Sequence, residues 1–137
     1  MKKIILFGLL AGLVMLVINF VVGAILEYLF PAISTEYKNI NLFRPWSDPL
    51  MSLMFLHPFL VGIILAWVWS KVKHVLKAEK DHHNGLVFGF VFWLISLPGM
   101  LISYSSFQIS LTMILSWTLA MLAEYLVAGV IFSKALK

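Results

Sequence analysis

The chain has 137 residues, 62% hydrophobic and only 12% charged, against roughly 25% charged residues in soluble domains. Its formal net charge is +4, but the cations gather at the ends of apolar runs, which fits a membrane-topology signal better than a nucleic-acid surface. There are no cysteines, which excludes disulfides and thiolate metal sites.

Met1, Lys2 and Lys3 precede an uncharged run from Ile4 to Leu26. It is far longer than the roughly 7–15 apolar residues of a secretory signal, so it is expected to be a first membrane span. Phe30-Pro31 should stop that helix, because proline cannot continue the hydrogen-bond ladder and restricts the residue before it. An outer loop is expected from Pro31 to Asp48. Ser47-Asp48-Pro49 then reads as a helix start, with Asp48 as the N-cap and Pro49 at the first helical position. The second span covers the uncharged run Pro49 to Ser70. Val72, Val75 and Leu76 keep a helical spacing among lysines, which predicts that this helix projects past the membrane.

Asn84-Gly85 predicts the turn into a third span. From Gly85 to Ala123 there are 39 residues without Asp, Glu, Lys or Arg. As helix that is ~58 Å, close to two crossings of a ~30 Å hydrocarbon core, with a short connection around Ser103 to Ser110. Tyr28, Trp46 and Tyr104 are expected at the outer membrane surface and Trp69 at the inner one, as aromatic belts.

The expected fold is therefore all-α: a polytopic four-transmembrane-helix bundle, one membrane domain over 1–137. Two hairpins compose it, about 3–80 and about 84–134. Lys2, Lys3, Lys71, Lys73, Lys77, Lys80, Lys134 and Lys137 fall on one side of such a bundle, and only Lys38 and Arg44 on the other. The positive-inside rule then predicts a multi-pass protein of the cell membrane with both termini in the cytoplasm.

An internal repeat is visible. Gly8, Gly12 and Asn19 in the first span match Gly85, Gly89 and Ser96 in the third, all at one offset of 77 residues. Gly8, Gly12, Asn19, Gly23 and Glu27 share an arc of about 100°, and Gly85, Gly89, Ser96, Gly99 and Ser103 one of about 80°. Pro58, Gly62, Ala66 and Ser70 form a small-residue row in the second span. Thr112, Ser116, Ala120, Glu124 and Ala128 form one in the fourth. Two parallel-repeat hairpins follow, firm for their first helices, while no single offset aligns the second ones. Because lipid tails are as apolar as leucine, such rows serve close backbone packing. Gly8, Gly12, Gly62, Gly85, Gly89 and Ala120 are the expected packing residues, either within the bundle or toward a partner helix.

Among polar residues Glu124 comes first. A carboxylate near the midplane costs around 2.5–3.5 kcal/mol on insertion scales, so it should face protein or water. Its role is either a hydrogen-bonded packing lock or a proton or cation site. His57, Asn19, Ser96 and Ser116 lie at similar depth in the outer half and form a candidate polar pocket, although His57 points about 140° away from Gly62. Arg44, with Trp46 beside it, could hold an anion or lipid headgroup outside. His74, Asp81, His82 and His83 read as a solvated turn. No catalytic residue, metal set or cofactor site is identified, and a bis-histidine haem site is excluded because only His57 is intramembrane.

These features predict a small non-enzymatic membrane protein that packs through glycine seams, as a homo-oligomer or an accessory subunit of a larger membrane complex. Its partners would be membrane lipid and other membrane chains, with no nucleic acid. The alternative is a small solute, ion or proton pathway using Glu124 and the outer polar band.

Overall fold

In the computed structural model, residues 1–76 and 81–136 are described; Lys77, Lys80 and Lys137 of the topology argument lie outside them. The elements are α1 (Lys2–Leu29), α2 (Pro31–Tyr37), a 3-10 turn (Pro49–Ser52), α3 (Leu53–Val72), α4 (Asp81–Ser106) and α5 (Leu111–Ala135). Four helical segments are long and apolar enough to cross a membrane, and the described chain is an all-helical bundle, a multi-pass membrane protein by composition and length. Both described chain ends lie at one end of the bundle, here the terminal end; α2 marks the other.

Proline sets several boundaries. α1 ends at Leu29, and Pro31 stops it by opening α2, a seven-residue helix inside the segment expected to be loop. Asp48 does cap the next segment, accepting from Leu50 N at 2.9 Å, but what it caps first is a 3-10 turn. Two expectations are corrected at the terminal end. α3 stops at Val72 rather than projecting further, and Val75 is exposed. Asn84-Gly85 lies inside α4, which already starts at Asp81. The reason is packing: Gly85 is buried against Gly129, so helix is needed there.

The glycines explain the hairpins. A methyl group on Gly8 would stand 2.6 Å from Ile63 Cα, and one on Gly12 2.6 Å from Phe59 Cα. A methyl on Gly62 would collide with Gly8 O and stand 2.8 Å from Gly12 N. The α4–α5 pair repeats this arrangement: a methyl on Gly129 would meet Gly85 O and stand 3.2 Å from Gly89 N. Each returning helix thus seats one glycine between two glycines of its partner. The obstacles are backbone atoms, so side-chain rotation offers no escape.

The hairpins then meet mainly through α1 and α5, with a smaller contact between α3 and α5. Near the terminal end all four long helices contribute to one core containing Met15, Leu65, Trp69, Phe88, Ala128 and Phe132. Trp69 is 3% exposed, stands edge-on to Phe88, and donates to Leu136 O at 3.3 Å. It is a core residue and not the belt residue expected of it, because its indole N–H finds a buried carbonyl instead of the interface. At the opposite end a second core gathers Ile33 of α2 with Ile109, Met113 and Ile114.

Candidate functional site

Glu124 lies near the middle of α5, ~20 Å from Leu111 and ~17 Å from Ala135 along the axis. It is 7% exposed, and its Oε1 accepts a hydrogen bond from Asn19 Nδ2 of α1 at 2.7 Å. Depth counting had put these residues in separate groups. Helix geometry brings them together: every Cα–Cβ bond tilts toward its helix N-terminus, and α1 and α5 run antiparallel. Asn19 therefore leans toward the terminal end and Glu124 toward the α2 end, each closing on the other.

Three cavities converge on Asn19. The largest is a recess of ≈ 560 Å³ at the α2 end, running along α1 past Phe20, Gly23 and Ala24 to Glu27, with Arg44 and Trp46 on its far wall. A space of ≈ 30 Å³ lies beneath α2, where Asn19 meets Ser116, Trp117 and Ala120. The third, ≈ 60 Å³, is lined by Asn19, His57, Pro58 and Glu124. Glu124 Oε2 has no protein partner, yet no side-chain oxygen among the described residues is both sealed and unpaired. This oxygen therefore opens into the third cavity, which has room for water at about 30 Å³ per molecule. A further cavity of ≈ 270 Å³ lies at the terminal end, lined by Trp69, Lys73, His74, Asp81, Asn84 and Ser133. The Met15–Trp69–Phe88–Phe132 core lies along the bundle between that cavity and Glu124.

The expected polar band is only partly assembled. Asn19 shares one cavity with Ser116 and another with His57, so these three surround one region. Ser116 is buried and satisfied by Met113 O at 2.7 Å. His57 is exposed on the outer flank of α3, in line with its large angle from Gly62. Ser96 lines none of these cavities; its hydroxyl donates to Trp93 O at 2.6 Å, within α4. Among the described residues, no group of three His, Asp or Glu stands close enough to hold a metal ion.

The mouth of the recess is more elaborate than its sequence suggested. Arg44 Nη1 pairs with Asp48 Oδ2 at 2.8 Å while its side chain stays 60% exposed. The Leu50 backbone N–H first, and Arg44 second, hold the Asp48 carboxyl below its ordinary value. Glu27, Tyr37 and Lys38 also line the recess. Tyr37 and Lys38 were not singled out from sequence. Glu27 was visible as the end of the Asn19, Gly23, Glu27 row, spaced four apart on one face. Trp117 Nε1 donates to the Tyr37 hydroxyl, and Ser110 N donates to Glu36 Oε1 at 2.7 Å, so α2 bridges from the first hairpin to the second. Burial pushes the Tyr37 phenol above its ordinary value; the Trp117 bond opposes this, and the Glu27 and Glu36 carboxylates add to it.

Compared with known protein families, with curated proteins and with solved structures, the chain matches none.

Proposed function

We propose that this chain is a non-enzymatic protein of the cell membrane, with both termini in the cytoplasm, that admits a small solute or ion from the outer face to the Asn19–Glu124 pair. One observation carries this reading. Glu124 has a carboxyl oxygen open to a cavity at mid-bundle, and Asn19 belongs both to that cavity and to the wide recess. Intramembrane carboxyls are costly and point by default to ion or proton handling. The apolar core beyond Glu124 makes the site one-sided, as in an outward-open state of a pathway.

The test is reconstitution in proteoliposomes with an internal pH-sensitive dye, under imposed proton, Na⁺ and K⁺ gradients. Wild-type protein should dissipate at least one gradient, and Glu124→Gln should reduce that flux at least tenfold while keeping the thermal midpoint in detergent. Absence of flux in the wild type under all three gradients, or equal flux in the variant, removes this reading.

A second role, as a homo-oligomer or accessory subunit, draws support from α4. Its main packing is on α5, leaving Ile95, Leu101 and Ile102 exposed and the space at Gly99 open. The glycine pairs themselves are occupied within the chain, so any partner would use this flank instead. The matching glycine geometry of the two hairpins supports their origin by duplication. Copurification of a second membrane chain under mild extraction, lost on Gly99→Leu, is the expected sign of this role.

A further inference from the structure

The recess has chemistry that a small ion does not need. Its inner half is apolar, with Phe20 and Ala24 of α1 facing Met54 of α3. From Asn19 to Glu27 that wall runs ~12 Å along the helix axis. Its mouth is charged with both signs. Glu27 has no hydrogen bond or ion pair among the described residues, and neither has Lys38. Arg44 gives one donor to Asp48 and keeps four of the five that a guanidinium carries. Tyr37 and Trp46 stand among these charges. At ≈ 560 Å³ the space falls within the roughly 300–1,000 Å³ of small-ligand sites.

A single cation would leave Arg44 and Lys38 unmatched, and a single anion would face Glu27. A ligand matching the whole recess has an apolar chain for the Phe20–Met54 slot and a headgroup carrying both charges. We propose that the recess is a binding site for one phospholipid with a zwitterionic aminoalkyl-phosphate headgroup. Arg44 and Lys38 receive the phosphate, arginine by its planar donor fork and lysine as a point charge. Glu27 receives the primary ammonium, and Trp46 lies at the interface, where amphipathic rings are favoured. Gly23 leaves the slot open, since no atom lies within 4 Å of where its side chain would begin. This proposal needs the recess to be open to a ligand, as above, but not flux past Asn19.

The test is native mass spectrometry of the delipidated full chain, titrated separately with phosphatidylethanolamine, phosphatidylglycerol and inorganic phosphate. Wild-type protein should retain one phosphatidylethanolamine, roughly three- to five-fold in preference to phosphatidylglycerol, which is the range for one partly exposed ion pair. Glu27→Gln should erase that preference, and Arg44→Gln should weaken both lipids. The Trp117–Tyr37 contact and the thermal midpoint should stay unchanged. Equal retention of the two lipids by wild type, or retention untouched by either variant, shows surface lipid only and overturns the proposal. Phosphate binding as tight as the lipid's would make this a free-anion site and also overturn it. Lipid retention without proteoliposome flux would remove the pathway and leave this site standing; flux without lipid preference would do the reverse.

Discussion

Asn19 and Glu124 form a polar bond within a bundle otherwise joined by apolar contact, and their substitution separates shape from charge. In a membrane such a bond is worth on average about 0.6 kcal/mol and at most about 1.7. Glu124→Gln keeps the size of the side chain and an oxygen for Asn19 Nδ2, so the thermal midpoint in detergent should barely move. Asn19→Leu removes the donor facing a buried carboxyl, and should destabilise by about 1–3 kcal/mol. A double-mutant cycle over Asn19→Ala and Glu124→Ala should return a coupling of about 0.5–1.7 kcal/mol. A coupling of zero would mean that the 2.7 Å contact holds nothing together. Glu124 itself was legible in the sequence, because the Ser116, Ala120, Ala128 row fixes which way it faces. Its partner was not. Choosing Asn19 required knowing that α1, rather than α3 or α4, lies beside that row, and periodicity within one helix carries no information about its neighbours.

At the scale of the element, the glycines decide which helices pair. Gly62 and Gly129 hold equivalent places between Gly8 and Gly12 and between Gly85 and Gly89. Their offset is 67 residues, whereas the first helices differ by 77. The ten-residue discrepancy is explained by the connections: the first hairpin carries α2 and the 3-10 turn between its long helices, and the second has only 107–110. For this reason the match between second helices stayed hidden in sequence although the contact geometry agrees. Gly62→Ala and Gly129→Ala should each destabilise by about 1–3 kcal/mol or more, since the added methyl meets backbone carbonyl oxygen in both cases. Gly23→Ala and Gly99→Ala, which meet nothing within 4 Å, should leave the thermal midpoint near wild type or raise it slightly. If all four variants melt alike, close glycine packing is not what sets hairpin stability.

Over the whole molecule, span number and helix order were legible because hydrophobic length alone fixes them, while α2 and the recess were not. α2 is too short to show periodicity, and what secures it is remote: Ser110 and Trp117 lie 74 and 80 residues from Glu36 and Tyr37. The proposed orientation rests on charge bias and has its own measurement. Reporter fusions after Lys80 and Lys137 should signal from the cytoplasm, and one after Tyr37 from outside; a cytoplasmic signal at Tyr37 would invert or dismantle the arrangement. How the two hairpins are fastened has a mechanical consequence. Within each, backbones touch at glycine, so each can turn only as a rigid body. Between them there are polar fastenings near both ends: Trp69 and Lys73 to Leu136 O at one, Glu36 and Tyr37 to Ser110 and Trp117 at the other. The Asn19–Glu124 bond lies between the two, where a pivot moves least. A rocking motion that uncoupled Trp69 from Leu136 would open the terminal end like a scissor while straining the α2 clasp. The molecule has the parts of a lever, with its one buried carboxyl at the fulcrum.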